Sequence, residues 1–171
     1  MIQTALSLLS FFIINTSIYT FSMPSIEGKE INFNDYRGKK ILLVNTASEG
    51  PYSNQYASLE ALHQKYKDRL VIIAFPSNSF GHETKDNNAI KTFVHNSFNI
   101  HFRLAAKTDV LGENKTALYR WLSLASENGV MNGKPKGDFF KFLIDESGNM
   151  MGFFDGSIDP MNDKVQNAIQ E

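Results

Sequence analysis

Two uncharged apolar runs organise this chain. Ile41, Leu42, Leu43 and Val44 form the first and Leu70 to Phe75 the second, each with the continuous apolar character of a strand buried on both faces. Between them Tyr56, Leu59, Leu62 and Tyr66 recur at helical spacing, with Ser53 as the expected N-cap and a helix end near Lys67. The pattern predicts two parallel strands joined by a helix, a right-handed βαβ unit. Gly50-Pro51 breaks regular structure between the first strand and the helix. Such strand–turn–helix junctions suit chemistry, because free backbone N–H groups and the helix dipole favour an anion. Here the turn carries no reactive side chain.

The flanking patterns complete the element list. Ser17 to Ser22 alternates weakly and predicts a strand, Met23 to Gly28 a turn, and Glu30 to Phe33 a returning strand, together an N-terminal β-hairpin. Beyond Pro76, Ser77 to Asn88 is polar and predicts a loop at the same edge as Gly50. Asn88 to Phe98 predicts a helix with Ile90, Phe93, Val94 and Phe98 on one face. Phe102 to Ala106 is a short strand-like run, and Asn114 is the expected cap of a helix carrying Leu118, Trp121, Leu122 and Ala125. Ser126 to Asp138 predicts a loop. Phe139 to Asp145 and Met150 to Asp155 flank Glu146-Ser-Gly-Asn149, a hairpin signal. A last helix starts at Asp159 or Asn162 and turns Val165 and Ile169 inward.

Composition narrows the possibilities. A chain of 171 residues defaults to one compact domain that buries about two-thirds of its unfolded surface. A net charge of −1 makes no case for nucleic acid or an acidic membrane surface. Fourteen Phe against one Trp point to aromatic core packing. The absence of cysteine fits the cytosol, and equally an exported protein without disulfides. Residues 1–16 are set apart: Ala5 to Ile14 is an uncharged, mostly apolar run of signal-peptide length, too short for a membrane span. No Lys or Arg precedes it and no clean small-x-small cleavage site follows. Export to the periplasm or the exterior is the expectation, with residues 17–171 as the domain. The alternative is an extension packed on a cytoplasmic protein.

Several motifs carry a resemblance. Ser17-Ile-Tyr-Thr-Phe, Asp35-Tyr-Arg-Gly-Lys-Lys, Leu43-Val-Asn-Thr-Ala-Ser48, Gln55-Tyr56, Phe75-Pro-Ser-Asn-Ser-Phe-Gly81, Gly112-Glu-Asn114 and Lys141-Phe-Leu-Ile-Asp145 resemble the glutathione peroxidase family, in order and at near-family spacing. The resemblance implies an α/β domain of thioredoxin-like fold: a central mixed β-sheet flanked by helices, with an N-terminal β-hairpin. It also implies a role in oxidative stress. The long insertion that tetrameric members use for assembly is lacking, which implies a monomer.

The same resemblance locates the site and shows it emptied. The peroxidatic cysteine or selenocysteine position is Gly50. The family's Gln falls on or near His82, in a segment one residue shorter than usual, and its Trp-Asn pair on Gly137-Asp138. A second common cysteine is Ser77, and the resolving cysteine of the thioredoxin-dependent subgroup would lie near Val94. Peroxide reduction of this kind needs a thiolate or selenolate that becomes a sulfenic or selenenic acid. A serine hydroxyl is un-ionised near neutral pH and has no stable oxidised state. Thiol-based peroxidase activity is therefore not expected, and no catalytic residue, cofactor or metal is assigned.

The same residues allow two richer readings by type. Ser77, His82 and Asp138 form a Ser-His-Asp trio by type, without a Gly-x-Ser-x-Gly elbow. His82, Glu49, Asp138 and Glu83 could ligate a metal by type, but lack helix-face spacing. His63 is expected to be solvated, and His95 and His101 to bracket a helix end. Lys134 and Lys136 read as solvated loop residues. The expectation is a pseudo-peroxidase that binds an unidentified protein or small molecule, with no nucleic acid and no membrane span in the mature domain. The alternative is an enzyme of another class with a pocket rebuilt from His82, Asp138 and Ser77.

Overall fold

The structure, a computed structural model, describes residues 16–171. The export expectation for residues 1–16 thus concerns residues that, Thr16 apart, lie outside the described part. Thr16 is held by its carbonyl, which accepts a bond from Trp121 Nε1 at 2.6 Å.

The two apolar runs form the middle of a five-stranded sheet. β3 (Lys40–Thr46) and β4 (Leu70–Pro76) pair in parallel with Ile41 opposite Val71 and Val44 opposite Ala74. β5 (Arg103–Leu104) extends the sheet in parallel beyond β4. On the other side β6 (Lys141–Ile144) runs antiparallel to β3, and β7 (Met150–Phe154) antiparallel to β6, giving the order β5-β4-β3-β6-β7. β1 (Ser22–Pro24) and β2 (Glu30–Asn32) make the separate N-terminal hairpin.

Alternation along the strands supplies both faces of the sheet. Leu42, Val44, Ile72, Ala74 and Leu143 face α1 (Gln55–Tyr66), α2 (Asn87–Phe98) and α5 (Asp163–Gln170), which contribute Leu59, Leu62, Ile90, Val94, Val165 and Ile169. Ile41, Leu43, Ile73, Phe75, Phe142 and Ile144 face the opposite layer, where α3 (Ala117–Ser123) brings Leu118, Trp121 and Leu122. The short α4 (Ala125–Asn128) follows α3. This is the expected mixed sheet flanked by helices with an N-terminal hairpin, a thioredoxin-like fold. Among the described residues no helix is long and apolar enough to cross a membrane.

The structure corrects several local expectations. Ser17 caps a 3-10 turn over Ile18–Thr20 instead of opening a strand, because its side chain accepts the Tyr19 N–H. Ser53 is not the cap of α1: its N–H bonds Gly50 O inside a turn that runs to Asn54. Thr116, not Asn114, caps α3 through the Tyr119 N–H, and Ala125 lies beyond that helix. Asn162 caps α5. His63 is half-buried with its ring edge against Phe102, and His101 bonds Glu60 at 2.8 Å instead of facing a helix end.

One buried cation stands out in this apolar frame. Lys141 opens β6 fully buried, and its Nζ donates to Gln55 Oε1 at 2.9 Å and to Phe139 O at 2.7 Å. Desolvation pulls its ammonium down to about 8, opposed by Asp159 and Asp155. A lysine whose folded value is depressed destabilises the fold while charged, so stability rises with pH between about 8 and the unfolded value of 10.5. Urea unfolding of wild type and Lys141→Met should show this: between pH 7.5 and 9.5 wild type gains roughly 2 kcal/mol relative to the variant. Parallel pH profiles for the two proteins would contradict it.

Candidate active site

The turn after β3 and the loop after β4 are stitched together residue by residue. Glu83, fully buried, accepts the Ser48 N–H at 2.7 Å and the Ser48 hydroxyl at 2.8 Å. The Glu49 N–H donates to His82 O at 3.1 Å. The Glu49 carboxylate accepts Lys85 Nζ at 2.6 Å and the Thr84 hydroxyl at 2.6 Å, and these donors, Lys85 foremost, hold its acid at about 2. These bonds commit Glu49 and Glu83 elsewhere, so they do not join His82 and Asp138 in a metal site. Among the described residues no group of three or more His, Asp or Glu is arranged to hold a metal ion.

The stitching presents His82 to a carboxylate from the other side of β3. His82 Nδ1 lies 2.6 Å from Asp138 Oδ2. The Asp138 side chain is 1 % exposed and that of His82 46 % exposed. Asp138 Oδ1 is buried and makes no hydrogen bond among the described residues. The backbone beneath is firmly fixed. Asn45 Nδ2 donates to Gly137 O at 2.9 Å, and the Phe139 N–H donates to Asn45 O at 2.6 Å. Phe139 has φ +59°, a left-handed conformation uncommon for a bulky residue. The Asp138 carbonyl packs so closely on Gly156 that a Cβ there would collide with it.

Gly50 meets this pair directly. A Cβ built on Gly50 would lie 2.7 Å from Asp138 Oδ2 and 3.5 Å from His82 Cβ. Gly50 has no left-handed φ, so turn geometry is not what requires glycine here; the carboxylate is. Gly137 is different: a Cβ there would meet nothing within 4 Å, so the space beside it is open.

Of the positions singled out from sequence, Gly50, His82 and Asp138 converge, with Gly137 at the rim. Ser77 does not join them. It is fully buried, its hydroxyl donates to Ser79 Oγ at 3.0 Å and accepts the Ser79 N–H at 3.2 Å. The Ser-His-Asp trio therefore fails at its nucleophile, and only the His-Asp half is built. Val94 is buried inside α2, while Lys134 and Lys136 are exposed. Sequence reasoning missed the roles of Asn45, Phe139 and Lys141. A lysine heading an otherwise apolar strand was the signal available for the last.

The family model described as glutathione peroxidase matches residues 18–123. The chain belongs to the glutathione peroxidase family. It is 37 % identical over 161 residues to a glutathione peroxidase-like peroxiredoxin of Chlamydomonas reinhardtii, covering 90 % of this chain and 99 % of the relative. It is 35 % identical over 157 residues to the glutathione peroxidase homolog BsaA of Halalkalibacterium halodurans, covering 91 % and 98 %. The crystal structure of Trgpx in apo form superposes with a TM-score of 0.68 at 30 % identity, covering 91 % of this chain and 97 % of that one. This member of the glutathione peroxidase family thus keeps the scaffold without any cysteine.

The contact at Gly50 is measurable as a coupling. Gly50→Ala should destabilise the protein by about 1–3 kcal/mol, since Asp138 must rotate off His82 to admit the methyl group. In an Asp138→Ala background the same substitution should cost less, leaving a coupling of about 1 kcal/mol or more in a double-mutant cycle. Additive effects would show that the carboxylate does not occupy this space.

Proposed function

We propose that this protein has abandoned thiol-based peroxide reduction and acts by binding, with the pocket above Gly50 as its ligand site. One observation carries the reading: Asp138 Oδ2 lies 2.7 Å from where the Cβ of a cysteine at position 50 would stand, closer than an ordinary contact. The absence of a thiol removes the nucleophile. The occupied space means that a thiol cannot be restored without moving the carboxylate. Family membership supports a pocket retained at this strand–turn–helix junction, and the open space beside Gly137 supports access to it.

A second reading, an enzyme of another class, is favoured by the 2.6 Å contact between His82 and Asp138. It can use these two residues without Ser77.

The test is peroxide turnover by the full chain, with hydrogen peroxide and a lipid hydroperoxide, and glutathione or thioredoxin as reductant. Wild type should show none. Gly50→Cys alone should remain inactive or nearly so. Gly50→Cys combined with His82→Gln and Asp138→Asn should gain activity over the single variant by about tenfold or more, because it relieves the charge opposing a thiolate. Thiol-coupled turnover by wild type would overturn the reading.

A further inference from the structure

We propose that His82 and Asp138 form a general-base dyad that hydrolyses short acyl esters and thioesters, with water as the nucleophile. The inference rests on the pocket described above but goes beyond binding, and it does not depend on the loss of peroxide chemistry.

The arrangement has the parts such a reaction needs. The Asp138 carboxylate accepts the Nδ1 proton of His82 at 2.6 Å, which leaves Nε2 with its lone pair as the basic nitrogen. A carboxylate buried to this degree fixes the ring and stabilises the imidazolium that forms during catalysis. The His82 side chain is about half exposed, so the ring meets solvent. At the same turn the N–H groups of Gly50 and Tyr52 donate to no other group among the described residues. They stand ahead of α1, where the helix dipole favours a developing negative charge.

The chemistry selects the substrate. Among the described residues no serine hydroxyl bonds His82, Ser77 being committed to Ser79, and the chain has no thiol. Water must therefore attack, which favours acyl groups with good leaving groups over amides. The Glu83 carboxylate on Ser48 and the Asp138 carboxylate on His82, with Glu49 already paired to Lys85, disfavour phosphate esters and other anionic substrates. An uncharged acyl group fits, and the open space beside Gly137 admits it.

The step balances without a redox partner. His82 Nε2 takes a proton from water as the water oxygen bonds to the carbonyl carbon, and the oxyanion accepts the turn N–H groups. The tetrahedral intermediate then collapses, the bond to the leaving oxygen or sulfur breaks, and His82 returns the proton to the departing alkoxide or thiolate. The products are a carboxylic acid and an alcohol or thiol. His82 is the catalytic residue and Asp138 the positioning residue.

The experiment is hydrolysis of p-nitrophenyl acetate and of an acetyl thioester by the full chain across pH 5–9, beside free imidazole at equal concentration. Wild type should exceed imidazole by about a hundredfold, with kcat/KM rising on a single titration to a plateau. His82→Gln should lose about a hundredfold, and Asp138→Asn about tenfold or more with a displaced pH profile. Ser77→Ala should retain full activity, and near-UV circular dichroism checks that each variant is folded. A rate no greater than imidazole, or one unchanged in His82→Gln, would overturn the proposal. So would a burst with an acyl-imidazole absorbance, which would make His82 a nucleophile. Peroxide assays on the same samples separate this outcome from the fate of the binding reading.

Discussion

The position of the Asp138 carboxylate is the constraint on which this pocket depends. Its backbone is determined from several sides at once. Asn45 holds Gly137 and Phe139, Gly156 backs the Asp138 carbonyl, and Lys141 Nζ binds the Phe139 carbonyl. A left-handed conformation at a bulky residue costs on the order of 1–3 kcal/mol and persists only when its surroundings over-determine it. Here they do. The result is a carboxylate that fixes His82 and must shift before position 50 can carry a side chain.

The polar interior behind the pocket explains how such a carboxylate is supported. Lys141, Gln55 and Gly156 form a chain of bonds, with Gln55 accepting from Lys141 and its Nε2 donating to Gly156 O at 2.7 Å. Gln55 is the first residue of α1, so this chain ties the helix start to the backbone on both sides of the β6–β7 hairpin. Breaking a buried pair of this kind costs more than the pair contributes net, because the orphaned partner stays buried. That asymmetry makes the frame rigid even where individual bonds add little. Tyr56, in the first turn of α1, is buried with its phenol held well above the usual range by desolvation, so it remains neutral beside the acids.

Much of the fold was legible because it depends on period and punctuation. The runs at Ile41–Val44 and Leu70–Phe75 read as buried strands, and a helix between them returns the chain in parallel. Errors arose where a short polar side chain chose among neighbouring backbone donors. Ser53, Asn114 and Ser17 are all competent caps, and local turn geometry, invisible to pattern, decided which ones act. At the site, sequence alignment of motifs brought Gly50, His82 and Asp138 together on paper. It could not show that Ser77 turns inward to Ser79, since a hydroxyl's partner depends on a single rotation. Nor could it distinguish a glycine required by φ from one required by a neighbour's oxygen.

That last distinction bears on how the chemistry of this protein differs from that of its relatives. A peroxidatic thiol works as an anion, and its ionisation is suppressed by a nearby carboxylate. At position 50 a thiolate would face the buried Asp138 carboxylate at close range, so the two charges oppose each other electrostatically as well as sterically. The absent cysteine and the present His-Asp pair are therefore not independent features. In this protein the turn is organised around the buried Asp138 carboxylate, whose charge opposes a thiolate at position 50.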